Sequence, residues 1–117
     1  MDFQTAVRTG LTRYVDFNGR AARTEYWWFV LFQALAVIAA GLVDIFIGFL
    51  QPLVILGLIL PGIAVTVRRL HDTDRSGWWF LISFIPLVGL VVLLVFLVTR
   101  GTDGVNRFGA PAVADGA

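Results

Sequence analysis

Residues Trp27 to Leu50 read WWFVLFQALAVIAAGLVDIFIGFL, and this stretch decides the fold. With Leu53 to Val67 and Trp78 to Thr99 it makes three apolar runs separated by two short breaks. Between Val30 and Val67 the only charged residue is Asp44, and between Phe80 and Thr99 there is none. A helix packed into a soluble core shows a polar face, and these runs show none. They are read as three membrane-spanning helices. The fold class expected is all-α, an integral membrane bundle of three transmembrane helices with an N-terminal amphipathic interfacial helix.

At 1.5 Å per residue the first run reaches ~36 Å and the third ~33 Å, against a hydrocarbon core of ~30 Å. The second is only ~23 Å by the same rise and carries Pro61-Gly62 near its middle, which predicts a kink. A re-entrant loop is the alternative for this second run. Pro52 suits the first position of a helix, and the tight Gln51-Pro52 connection makes the first two spans antiparallel neighbours.

Composition agrees. Hydrophobic residues make up 58% of the 117 residues, against roughly 45–50% in an ordinary soluble domain. A net charge of +1 gives no bulk attraction to nucleic acid. The absence of cysteine excludes disulfides, thiolate metal sites and a cysteine nucleophile. The polar opening segment does not read as a secretory signal, so the first span is expected to stay as an anchor.

Outward from the runs, residues 1–26 divide into an amphipathic stretch and a turn. Phe3, Val7, Leu11 and Tyr14 share one face, and Gln4, Thr5, Arg8 and Thr12 the other, as in a helix lying on a bilayer. Asp16-Phe17-Asn18-Gly19 is a turn signal. The transmembrane domain is 27–99 (spans 27–50, 53–67 and 78–99), with a polar loop 68–77. Residues 100–117 form a Gly/Pro-rich tail. With the N-terminus inside, Arg8, Arg13, Arg20, Arg23, Arg68, Arg69 and Arg75 fall on the cytoplasmic side and Arg100 and Arg107 outside. This bias predicts a cytoplasmic N-terminus and an outer tail. If the second run is re-entrant, the count changes and the tail moves inside.

Chemistry concentrates at the cytoplasmic mouths. Arg23, Glu25, Trp27 and Trp28 are echoed by Arg75, Trp78 and Trp79, an arginine one turn before a tryptophan pair. Positive-inside charge and an aromatic belt each generate such a pattern independently. The sharper reading joins both mouths, with Arg20, Arg68, Arg69, His71 and Asp72, in one site for an anionic headgroup or a membrane partner. His71 beside Asp72 has the form of a base and its orienter, but no nucleophile motif accompanies it. One histidine and two aspartates in a loop make a weak metal set. No catalytic, metal or cofactor site is assigned. Asp44, the intramembrane charge, lies ~9 Å from the end of the first run, where the alternatives are reaching the outer headgroup region or pairing with Arg100 at the outer end of the third run. Ala36, Ala40, Asp44 and Gly48 form a row of small or short side chains, with Gly57 and Gly62 on the second run, suited to close helix approach.

Together these motifs resemble a bacterial inner-membrane family, the YhaH type, known as domain of unknown function 805. The resemblance rests on Phe17-Asn18-Gly19-Arg20, on Arg23 to Trp28, on Val67-Arg68-Arg69-Leu70-His71-Asp72 with Arg75 to Trp79, and on Asn106-Arg107-Phe108-Gly109. It implies a small multispanning protein of the bacterial inner membrane with uncharacterised activity, and it brings no catalytic residues. The expected role is non-enzymatic, with membrane lipids as partners and a homo-oligomer or membrane protein partner to cover bare helix faces. The alternatives are a subunit of a membrane enzyme or transporter using His71, Asp72 and Arg75, and an assembly module of a larger complex.

Overall fold

The computed structural model describes residues 2–111, and among them every regular element is helical. Helix α1 runs Phe3–Thr12, α2 Arg23–Val43, α3 Leu50–Asp72 and α4 Val88–Val98, with a 3₁₀ segment, Gly77–Phe84, before α4. Asp2 starts α1 by accepting the Thr5 N–H at 2.8 Å. Phe3 meets Trp28 edge-on at 5.7 Å, while Gly10 lies against Phe29. Two residues seven apart on α1 thus touch neighbours on α2, so α1 lies across α2.

Helices α2 and α3 are long and apolar enough to cross a membrane, with mean hydropathy 1.9 and 2.2. Only 17% and 22% of their apolar windows are buried within the chain, so neither is a core helix of the usual kind. Phe46, Leu87 and Ile45 stand 89%, 79% and 75% exposed, part of the apolar exterior that a lipid-embedded chain presents. The pair is held by reciprocal amides. Gln33 donates to the Leu58 carbonyl at 3.3 Å beside Gly62, and Gln51 to the Val37 carbonyl at 3.1 Å beside Gly41. A Cβ at Gly62 or Gly41 would meet the amide nitrogen of Gln33 or Gln51 at 2.7 Å.

The expected boundaries change in three places. The first helix ends at Val43 and not at Leu50. Asp44 leaves it to accept the N–H groups of Leu50 and Gln51, each at 2.6 Å, and so caps α3. The small-residue row therefore stops at Ala40, and Asp44 has no link to Arg100, which pairs with Asp103 at the other end of the molecule. The second helix is longer than 53–67: it is unbroken through Pro61 and carries Arg68 to Asp72 in its last turns. A re-entrant loop there is excluded.

The third expected span, 78–99, is not one helix. Ser76 caps the 3₁₀ segment, accepting the Trp78 N–H at 3.3 Å. The chain then reverses through Ile85-Pro86-Leu87, where Leu87 takes the left-handed φ of 62°. The two arms pack so closely that a Cβ on Gly89 would lie 1.6 Å from the Ile82 carbonyl oxygen. Each arm is ~16 Å long at its own rise, half of what a full crossing needs. Gly77 follows the C-terminal end of α3, and α4 returns to that end, where Arg69 binds the carbonyls of Leu97 and Thr99. The tail continues there, with the Thr102 N–H on the Asp72 carbonyl at 2.7 Å. Residues 100–111 of the tail thus lie at the same end as the segment preceding α2, not opposite it as expected.

Candidate functional site

Every arginine of the chain belongs to that end. The last turns of α3 bring Arg68, Arg69, His71 and Asp72 against the segment preceding α2, where Ala21 N–H donates to the Arg68 carbonyl at 2.9 Å. Two ionic groups result. Arg68 donates to Glu25 at 2.6 Å, with both side chains at or below 1% exposure. Asp72 accepts from Arg20 on one oxygen at 2.9 Å and from Arg69, three residues back on the same helix, on the other at 2.5 Å. Buried charges persist only when paired and hydrogen-bonded, and here most donors are used. Nε and Nη2 of Arg68 are buried with no hydrogen-bond partner among the described residues.

The remaining donors go to backbone. The last carbonyls of α4 have no partner within the helix. Arg69 takes those of Leu97 and Thr99, Arg23 that of Val98 at 3.3 Å, and the Trp27 indole donates to Leu97 at 3.3 Å. Cations at a helix C-terminus also meet its negative dipole end favourably. Arg20 uses its outer nitrogens on tail carbonyls, those of Thr102 and Gly104 at 2.6 Å each and Gly109 at 3.1 Å.

His71 joins the tail to the turn. Its Nδ1 lies 2.9 Å from the Gly19 carbonyl, an acceptor, so Nδ1 carries the proton. Phe108 stacks on the imidazole, ring centroids 3.9 Å apart and 3° from parallel. Asn106 donates to the His71 carbonyl at 2.9 Å, and Arg107 pairs with Asp74 at 3.3 Å.

The twelve residues nominated from sequence thus separate into two sets. Arg20, Glu25, Arg68, Arg69, His71 and Asp72 are buried. His71 and Asp72 do converge with Arg20, but both Asp72 oxygens are occupied, and of the three it is His71 that lines a hollow, the one beside Val67 and Trp78. Arg23, Trp27, Trp28, Arg75, Trp78 and Trp79 form a half-buried to exposed rim. The two echoed motifs share α4, which they flank. Trp27 and Arg23 hold its carbonyls, while Trp79 meets Phe96 edge-on at 5.2 Å and Arg75 lies 4.0 Å over that ring. A hollow of about 460 Å³ opens beside Arg23, Thr24, Trp27, Trp28 and Leu31. Sequence reasoning gave no role to the carbonyls of 102, 104 and 109 or to Asn106 and Phe108. A backbone acceptor leaves no side-chain signal, but the Asn106 to Gly109 motif was visible and marked the place.

Residues 14–110 match the family described as "Protein of unknown function (DUF805)". The chain belongs to this family. Among relatives similar to this DUF805 member, inner membrane protein YhaI of Escherichia coli K12 is 47% identical over 103 residues, 85% of this chain and 87% of its own length. Inner membrane protein YhaH of the same strain is 44% identical over 107 residues, covering 85% and 88%. A third, the uncharacterized protein YiiR, is 32% identical over 125 residues, covering 80% and 84%. No solved structure matches. The DUF805 match and the names of YhaI and YhaH support an inner-membrane location for the chain.

Proposed function

We propose that this is a non-catalytic inner-membrane protein held with its arginine end in the cytoplasm, where the rim of Arg23, Trp27, Trp28, Arg75, Trp78 and Trp79 engages anionic headgroups. The observation that carries the reading is the distribution of charge. All nine arginines sit at the end where α3 finishes and α4 returns, while among the described residues the other end holds Asp44 as its only charge. Arginine is retained on the cytoplasmic face, and tryptophan favours the headgroup layer. On this reading α2 and α3 cross the bilayer, the 77–98 hairpin enters it from the cytoplasmic side, and α1 lies in the interface. Both Asp72 oxygens are taken by arginine and Glu25 is paired with Arg68, so the buried cluster holds the fold together and the rim meets the lipid.

Two measurements test it. A fluorescent protein fused after residue 117 becomes fluorescent and a phosphatase fused there stays inactive; an active phosphatase overturns the orientation. In nanodiscs containing phosphatidylglycerol and phosphatidylcholine, Arg23→Gln with Arg75→Gln lowers the enrichment of phosphatidylglycerol around the protein. Unchanged enrichment removes the headgroup role.

A further inference from the structure

We infer that the trough between α3 and the 3₁₀ segment holds one acyl chain of an anionic glycerophospholipid, whose headgroup rests on His71 and Ser76. This deepens the proposed function and rests on its orientation. Ile63, Val67 and His71 stand four residues apart and form one face of α3. Trp78, Phe80 and Leu81 make the facing wall of a hollow of about 440 Å³, with Phe17 at its mouth. Gly77 lets the walls meet at the base, since a Cβ there would come within 2.7 Å of Val67. A second hollow of about 420 Å³ shares Ile63 and Phe80 with the first and runs on to Ile55. Along α3 the distance from His71 to Ile55 is ~24 Å at helical rise, and one leaflet of the hydrocarbon core is ~15 Å deep. An acyl chain therefore fits lengthwise.

The polar groups of the first hollow lie at its arginine end. Because Nδ1 of His71 is spent on Gly19, Nε2 is the nitrogen left for an occupant, and in the neutral ring it accepts. Ser76 accepts from Trp78 and keeps its own O–H to donate. A phosphoglycerol head answers both, its hydroxyls donating to Nε2 and its phosphate accepting from Ser76. Among the described residues, nine arginines share this end with six carboxylates, Asp2, Asp16, Glu25, Asp72, Asp74 and Asp103, and that surplus selects a head of net negative charge.

The test uses the full chain in nanodiscs of phosphatidylglycerol mixed with phosphatidylcholine or phosphatidylethanolamine, followed by native mass spectrometry of the released protein. Wild type retains one phosphatidylglycerol per chain. Leu81→Trp, which fills the trough from its exposed wall, loses that lipid; Ile63→Trp does so from the other wall. His71→Asn keeps a donor for Gly19 but removes Nε2, and it lowers the preference for phosphatidylglycerol about tenfold, the scale of one lost hydrogen bond. Wild type without a stoichiometric lipid, equal retention of phosphatidylethanolamine, or undiminished retention in a folded Leu81→Trp overturns the proposal. If Arg23→Gln with Arg75→Gln still abolishes enrichment in the surrounding bilayer while Leu81→Trp changes nothing, the rim reading stands and the trough falls.

Discussion

The two ends of the molecule handle charge in opposite ways. At one end Asp44 finds its partners six and seven residues ahead, on Leu50 and Gln51, and needs nothing else from the fold. At the other, Arg68 reaches 43 residues back to Glu25, and Arg20 reaches 52 residues ahead to Asp72 and 89 ahead to Gly109. The first arrangement forms whenever one turn forms. The second exists only when α2, α3, α4 and the tail are all in place, so it couples those elements into a single transition. Buried ion pairs add little net stability against apolar replacements, but losing one partner strands the other.

That contrast can be broken most severely at Asp72. Asp72→Asn leaves Arg20 and Arg69 buried without a carboxylate, and a loss of about 3–5 kcal/mol is expected, read from thermal or detergent-titration unfolding of the purified protein. By the same logic Glu25→Gln and Arg68→Met each destabilise alone, while the double variant recovers much of the loss; a double-mutant cycle with no coupling would show that the pair is not one unit. Next in size is Gly89→Ala, which drives a methyl into the Ile82 carbonyl and should cost about 1–3 kcal/mol through overpacking of the hairpin. Asp44→Ala removes a local cap, and about 1 kcal/mol is expected in the same unfolding assay, with the tail remaining as protected from protease as in wild type.

The smallest effect belongs to Asp16. The N–H of Asn18, and then Arg13, hold its carboxyl below the ordinary aspartate value of 3.8. A depressed carboxylate stabilises the fold above that value and loses its contribution as pH falls through the folded one. Asp16→Asn should therefore differ slightly from wild type near neutral pH and converge with it once the pH is well below 3.8. A gap that widens in acid would reverse the sign.

Much of this was legible in the residues. Long uncharged runs announced α2 and α3, because in lipid a continuous helix satisfies its own backbone. The charged residues of the buried cluster were all nominated, since arginine beside aspartate near a span end is conspicuous. Their burial was not, because the groups that enclose them, Ala21, Leu97, Thr99 and the tail carbonyls, look ordinary. The reversal at Ile85-Pro86-Leu87 was half visible. Pro86 and Gly89 permit a bend, but 22 apolar residues fit one full crossing as well as two half-depth arms. The hairpin brings α4's final carbonyls to Arg69, Arg23 and Trp27, contacts between segments far apart in sequence that no local pattern announces.

Arg20 grips the tail by oxygen atoms that all twenty amino acids possess. Such a clasp is blind to side-chain identity and sensitive to chain path. Thr102 offers Arg20 only its carbonyl, so a change of its side chain leaves that contact in place, whereas Gly104 and Gly109, at φ of 72° and 114°, need the freedom of glycine. A one-residue insertion between them would undo what many substitutions leave untouched.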